Sequence, residues 1–329
     1  MPELPDILLY LHALTPRVVG TRLDRIRIAT PFLLRSVSPP ISEAEGRLVL
    51  GIERSGKRIV FALADDRFLV LHLMIAGRLK WLTRGAKPPA KIGLAAFDFD
   101  KGTLVLTEAG SQRRASLHLV EGRPALEEFK RGGLDVFTAS PTEFGTALRK
   151  ENHTLKRALT DPRLIDGIGN AYSDEILHRA RVSPFLLTGR MSDEEMERLL
   201  TASRETLRLW IDRLRTEAGN AWPDKVTAFR EGMAVHGRYG NPCPVCGKPV
   251  QRIRYASNET NYCATCQTEG RLLADRGLSR LLREDWPRSL EDLEDYVRER
   301  KAGGNETGPA QPPGPVEPAP EEGLEPPTR

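Results

Sequence analysis

The chain has 329 residues, more than one hydrophobic core usually organises, so about two domains and an appendage are expected. With 40% hydrophobic and 29% charged residues the composition is that of a globular protein, which excludes a fibrous or wholly disordered chain. The net charge of +4 understates a basic body, because residues 302–329 hold five glutamates against one arginine, and a basic body suits phosphate-bearing partners. No apolar run approaches the roughly 18 residues of a membrane span. The acidic start Met1-Pro2-Glu3-Leu4-Pro5-Asp6 lacks the positive region of a secretory signal, so a cytoplasmic location is expected.

In chain order, Ile7, Leu8, Leu11 and Leu14 recur at helical spacing behind a Pro5-Asp6 start signal and predict a first helix. Eight short β-rich runs follow: Leu23 to Ala29, Arg47 to Glu53, Arg58 to Ala64, Phe68 to Leu73, Leu79 to Leu82, Ile92 to Phe99, Thr103 to Thr107 and Ser116 to Val120. Turn residues such as Ser55-Gly56, Asp65-Asp66 and Lys101-Gly102 separate them, which predicts antiparallel hairpins in a β-sandwich over residues 1–133. Beyond Gly132-Gly133 the period changes to helical, at Pro141 to Lys150, Leu155 to Thr160, Ala171 to Ala180 and Asp193 to Arg215, giving a helical domain over 134–235. Gly219 to Gly232 reads as a loop. A cysteine module is expected over 236–282, a helical extension over 283–301, and a disordered tail over 302–329, where eight prolines and few large apolar side chains cannot offset the entropy of ordering. The fold class is thus α+β multidomain.

All four cysteines lie in Cys243-Pro-Val-Cys246 and Cys263-Ala-Thr-Cys266, sixteen residues apart, which is the spacing of a zinc site and not of a disulfide framework. Four thiolates leave no open coordination position, so one structural Zn²⁺ is expected. Pro249 to Arg254 and Tyr255 to Tyr262 suit a hairpin between the knuckles, carrying Lys248, Arg252 and Arg254 toward phosphate. Asp166-Gly167-Ile168-Gly169-Asn170-Ala171-Tyr172 precedes a helix; its glycines suit an ordinary interhelical turn or, as the alternative, backbone amides that approach a phosphate. Pro2 would become a terminal secondary amine once Met1 is removed, a candidate nucleophile with Glu3 beside it to move protons. His72 and His118, each within an apolar run, read as core histidines, His236 as a residue the complete zinc site does not need, and Trp222 as either a core ring or a platform for a base.

Taken in this order, Pro2 to Asp6, Ser55-Gly56-Lys57-Arg58, His72 to Gly77, Arg113-Arg114, Gly167 to Tyr172 with Glu175, and His236-Gly237-Arg238 before the cysteines resemble the formamidopyrimidine-DNA glycosylase and endonuclease VIII family, from Met1 to about Leu282. The resemblance implies an N-terminal β-sandwich flanked by helices, a helix-two-turn-helix domain and a C-terminal zinc finger. It also implies a nucleoid-associated bacterial enzyme that flips a damaged base from double-stranded DNA, cleaves the glycosidic bond and cuts the strand by β,δ-elimination; a monomer is the default expectation. In that reading Pro2 attacks the sugar, Glu3 shuttles protons, Lys57 holds a phosphate, and Lys156 and Asn170 grip flanking phosphates. Three void-filling positions fall on Ile75, Arg113 and Ala115, the last too short to stack, and the finger position where the family carries an arginine holds Asn258, so Arg252 or Arg254 is expected to substitute. Formamidopyrimidine and 8-oxoguanine are the expected lesions; the alternatives are an endonuclease VIII-like enzyme for oxidised pyrimidines and a catalytically weak protein that binds damaged DNA.

Overall fold

A computed structural model describes residues 1–110, 112–255, 258–273 and 287–293, with 295 and 298. The expected tail at 302–329 and most of the extension at 283–301 lie outside them.

Helix α1 (Leu4–Val18) begins three residues before the first residue of the apolar pattern. Pro5 occupies its first turn, where a missing N–H costs nothing, and the Asp6 carboxylate accepts the Glu3 N–H at 2.9 Å. Strands β1 (Arg22–Ile28), β2 (Arg47–Ser55), β3 (Arg58–Leu63), β4 (Arg67–His72), β5 (Gly77–Leu82), β6 (Gly93–Phe99), β7 (Gly102–Glu108) and β8 (Ser116–Glu121) then pair antiparallel in the order β5-β7-β6-β1-β2-β3-β4-β8. Only two residue pairs join β1 to β2, so the sheet splits there into two four-stranded halves. The halves face each other: Phe61 of β3 and Phe99 of β6 stack at 6.4 Å although two strands separate them in the order. The expected β-sandwich is therefore present, with its eight strands close to the positions the alternation predicted.

The sandwich continues through α2 (Gly122–Glu127), which the sequence pattern did not reveal, into α3 (Pro141–Arg149), α4 (Leu155–Thr160), α5 (Asn170–Arg179) and α6 (Asp193–Ala218). Helices α3 and α6 start at reciprocal capping boxes, Ser140 with Glu143 and Ser192 with Glu195. On α6 the buried stripe Met196, Leu199, Leu200, Leu207, Trp210, Ile211 and Leu214 is the one its periodicity predicts. These helices share one core with α1 and the sandwich. The cysteine module forms a hairpin, β9 (Gln251–Tyr255) and β10 (Asn258–Tyr262), and a turn of helix, α7 (Ala264–Thr268). Two small clusters support it, and the returning segment 287–293 adds Leu290 to one of them through backbone bonds to Gly270 and Leu272. Among the described residues no helix is long and apolar enough to cross a membrane.

Candidate active site and DNA interface

The register gathers three turns at one end of the sandwich. Arg58 pairs with His72 and His72 with Ser116, while Gly77 pairs with Glu108. The β2–β3 turn carrying Lys57, the β4–β5 turn carrying Ile75 and the β7–β8 connection carrying Arg113 thus emerge together. Ile75 is 59% exposed, an apolar side chain left in solvent at the tip of its turn. Arg113 is exposed and hydrogen bonds to Thr30 Oγ1 and the Lys91 carbonyl. Ala115 is buried, its N–H and that of Arg114 held by the Glu108 carboxylate, so nothing projects from position 115.

Against this end sits the N-terminus. Glu3 is 1% exposed, and its carboxylate accepts the N–H groups of Gly169 at 2.6 Å, Ala171 at 2.8 Å and Tyr172 at 3.2 Å, the opening turn of α5. The anion these amides hold is the protein's own Glu3 carboxylate and not the expected phosphate, so the segment is an interhelical turn whose glycines make room for Glu3. Glycine is required there by space, since a Cβ on Gly169 would lie 2.5 Å from Glu3 Cδ. Gly167, at φ +79°, accepts the Leu4 N–H at 2.9 Å and would place a Cβ 2.9 Å from Leu4 Cβ. Asp6, fully buried, pairs with Arg230 Nη2 at 2.7 Å, so the loop before the finger is tied to α1; burial pushes the Asp6 carboxyl up, and Arg230 opposes the shift.

The Met1 α-amine shares this corner with Glu3, Arg78, Asp6 and Lys57, and partial burial lowers its pKa, with Glu3 opposing. Burial likewise lowers Lys57, while Glu3 and Asp166 pull it back up. The turn bearing Lys57 is braced from below, where Arg54 bridges Asp135 at 2.7 Å and Asp166 at 2.5 Å. His72 is not a core histidine: half-buried on the β4 end, it is pushed down to about 4 by burial and then by Arg58, Lys57, Arg131 and His118. Its place in a basic cluster escaped the sequence because the cluster comes from four separate segments.

Helix α5 organises the other side. Lys156, 3% exposed, is held in a buried pair with Asp174 at 2.5 Å and donates to the Asn170 carbonyl at 2.6 Å, so its ammonium does not face solvent where the expected phosphate would lie. Asp174 also meets His236 Nδ1 at 2.8 Å and Asn261 Nδ2 at 3.1 Å. The neighbouring Glu175 accepts the N–H groups of Ala234, Val235 and His236, and its carboxyl is raised by burial against those three bonds. Asn170 is half-buried at the helix start. Trp222 is a core ring: it packs at 5.9 Å from Tyr10 and 6.2 Å from Trp81 and donates to the Leu79 carbonyl, which leaves it no face for a base. From the same loop, Phe229 is 69% exposed and lies over His236 at 5.5 Å.

In the finger the four Sγ atoms lie within 4.8 Å of one another, with Cys246 and Cys263 at 3.4 Å and Cys243 and Cys266 at 3.9 Å. Sulfurs about 2.3 Å from a tetrahedral zinc stand about 3.8 Å apart, so the donor set fits one Zn²⁺. In the hairpin Arg254 registers with Glu259 and Arg252 with Asn261, placing the four on one face. The Arg252 guanidinium stacks 4.5 Å over Tyr239, and Arg254 is exposed. Asn258 opens β10 beside the turn.

Three domain profiles match the chain: the formamidopyrimidine-DNA glycosylase N-terminal domain over residues 1–115, its H2TH domain over 135–218, and the zinc finger found in FPG and IleRS over 240–268. The formamidopyrimidine-DNA glycosylase of Thermus thermophilus is 34% identical over 280 residues, covering 82% of this chain and 100% of that protein. That of Heliobacterium modesticaldum is 31% identical over 281 residues, covering 81% and 100%. A solved complex between a Lactococcus lactis FPG mutant and Fapy-dG containing DNA superposes with a TM-score of 0.71 at 26% identity, covering 81% of this chain and 100% of that one. With its site geometry, its finger and relatives matched along their whole length, the chain belongs to the formamidopyrimidine-DNA glycosylase family.

Proposed function

We propose that this protein excises oxidised bases from double-stranded DNA and then cuts the strand at the emptied site, with the Pro2 amine as nucleophile. Membership of the family makes it a base-excision repair DNA glycosylase with one structural zinc, and AP-lyase activity is typical of the family. The observation that carries the residue assignment is the corner where Glu3, clamped by three amides, the terminal amine and Lys57 meet.

Removal of Met1 frees the Pro2 secondary amine, which attacks the sugar C1′, displaces the base and holds the sugar as an iminium. Glu3 delivers a proton to the opening sugar and takes one up during elimination. A neutral amine is required for attack. Lys57 and His72 sit where a phosphate beside the extruded nucleotide would be held, and such contacts position DNA without reading its sequence. Asn170 takes a flanking phosphate, with Lys156 holding it in place through its carbonyl. Ile75 wedges into the stack and Arg113 meets the orphaned base, while Arg252 and Arg254 on the finger supply the cations that Asn258 cannot. Extrusion costs a few kcal/mol, least at a poorly stacked lesion. A cytoplasmic, nucleoid-associated monomer fits this substrate.

The test is borohydride trapping of the Met1-processed protein on duplexes carrying an abasic site, formamidopyrimidine, 8-oxoguanine or an oxidised pyrimidine, beside Pro2→Gly. A covalent adduct that depends on Pro2 is expected, greatest with the two purine lesions; greatest yield with the pyrimidine would move the enzyme to the endonuclease VIII branch. No adduct at the abasic site, with Met1 removed and DNA bound, would leave a protein that binds damage without cutting it.

A further inference from the structure

Helix α5 meets the zinc finger through Asp174 and His178, four residues apart and therefore on one side of the helix. Asp174 belongs to the network described above. His178, 5% exposed, brings Nε2 to 3.2 Å from Cys243 Sγ, itself 2% exposed and the first of the four zinc thiolates. A metal-bound thiolate can only accept, so the contact demands the Nε2–H tautomer donating to sulfur. Two of the other three sulfurs have local donors: Cys246 accepts the Lys248 N–H and Cys263 the Cys266 N–H. Cys243 takes its bond from a helix sixty-five residues back.

We propose that His178 is a positioning residue of the zinc centre, its Nε2–H donating to the Cys243 thiolate. Four thiolates bring more negative charge than one Zn²⁺ neutralises, and a donated hydrogen bond to a buried sulfur withdraws part of it and fixes the sulfur's direction toward the metal. The bond also ties the first knuckle to the same ten-residue helix whose opening amides hold Glu3. Finger and catalytic corner are thereby set against one rigid element, so the phosphate contacts of the hairpin are registered to the sugar being attacked.

This inference rests on the zinc reading, and the experiment separates the two. Full-length wild type, His178→Phe and His178→Gln are compared for bound zinc, for zinc transfer to a colorimetric chelator, and for the thiolate-to-metal charge-transfer band after Co²⁺ replacement. Outer-shell partners of metal ligands typically change affinity by about 10–100-fold, so His178→Phe should release zinc at least about tenfold more readily and move the Co²⁺ band to lower energy. Gln places an amide N–H close to the Nε2 position and should restore both. Wild-type affinity and an unmoved band in His178→Phe would overturn the proposal, as would weakened affinity in Phe and Gln alike without a band shift, which is packing alone. Absence of zinc from the wild type would instead refute the metal assignment. If His178→Phe does not fold, His178→Asn decides: its shorter amide falls short of Nε2, and a wild-type band would overturn the proposal.

Discussion

The N-terminal corner around Glu3 and the zinc finger sit on the same helix and are stabilised by different physics. At the corner, chain segments more than 150 residues apart interlock through buried polar groups: Glu3 on the amides of Gly169, Ala171 and Tyr172, Leu4 on the Gly167 carbonyl, Asp6 on Arg230. Each bond is satisfied by a partner with no room to move, since Gly169 cannot accept even a Cβ. Among the described residues the finger has clusters of only a few buried side chains, and it relies on its four thiolates and the metal they bind. A corner of this kind resists substitution at every position. A finger of this kind depends first on its ligands and on the donors that reach them.

The strongest way to break the comparison is to remove the metal. Structural zinc supplies apparent binding energies of about 10–16 kcal/mol in small fingers, so Cys246→Ser should release zinc and collapse the finger while the sandwich core stays folded. Metal analysis, duplex affinity and the main thermal transition read this; loss of the whole fold would mean that the finger is not an independent unit. Next is Arg230→Ala, which leaves the Asp6 carboxylate buried and unpaired at an expected cost of about 3–5 kcal/mol in urea unfolding. Adding Asp6→Asn should recover part of that loss. Gly169→Ala should cost about 1–3 kcal/mol by overpacking and, more tellingly, reduce borohydride trapping far more than it reduces DNA affinity, because the displaced group is Glu3. On the finger, Arg252→Ala should weaken binding evenly across sequences and lower the salt-dependence slope by about one, with no change in trapping at saturating DNA.

The smallest effect is a proton. His72, held at about 4 in the free protein by burial and neighbouring cations, should gain a phosphate when DNA binds, and its pKa should rise. Binding then takes up a proton, so affinity should strengthen as pH falls through the pKa of the complex and level off near 4. His72→Asn should abolish that component, and an NMR titration of the imidazole with and without duplex measures it directly.

Much of this was legible in the chain. Alternation and turn residues marked all eight strands, the helical stripe of α6 was visible in its leucines and Trp210, and two CxxC knuckles announced the metal, because each of these signals is local. The roles of Lys57, Lys156, Asn170, Ile75 and Arg113 were readable only as a resemblance in motif order. What they do to one another was not: Lys156 turned inward to Asp174, Trp222 into the aromatic core, and His72 out into a basic cluster.

By itself, then, the sequence determined the eight strands and the main helices, the zinc ligands and the family, since period, spacing and motif order are properties of the chain alone. Only the tertiary structure decided that the glycines before α5 receive Glu3, that Arg230 neutralises Asp6, and that His178 reaches Cys243. Those pairings join residues separated by 65 to 224 positions, and no local pattern encodes which buried charge or sulfur will find which donor. Packing the sandwich, the helices and the finger onto one helix makes that choice, because a buried polar group left unpartnered would cost more than its neighbours could repay.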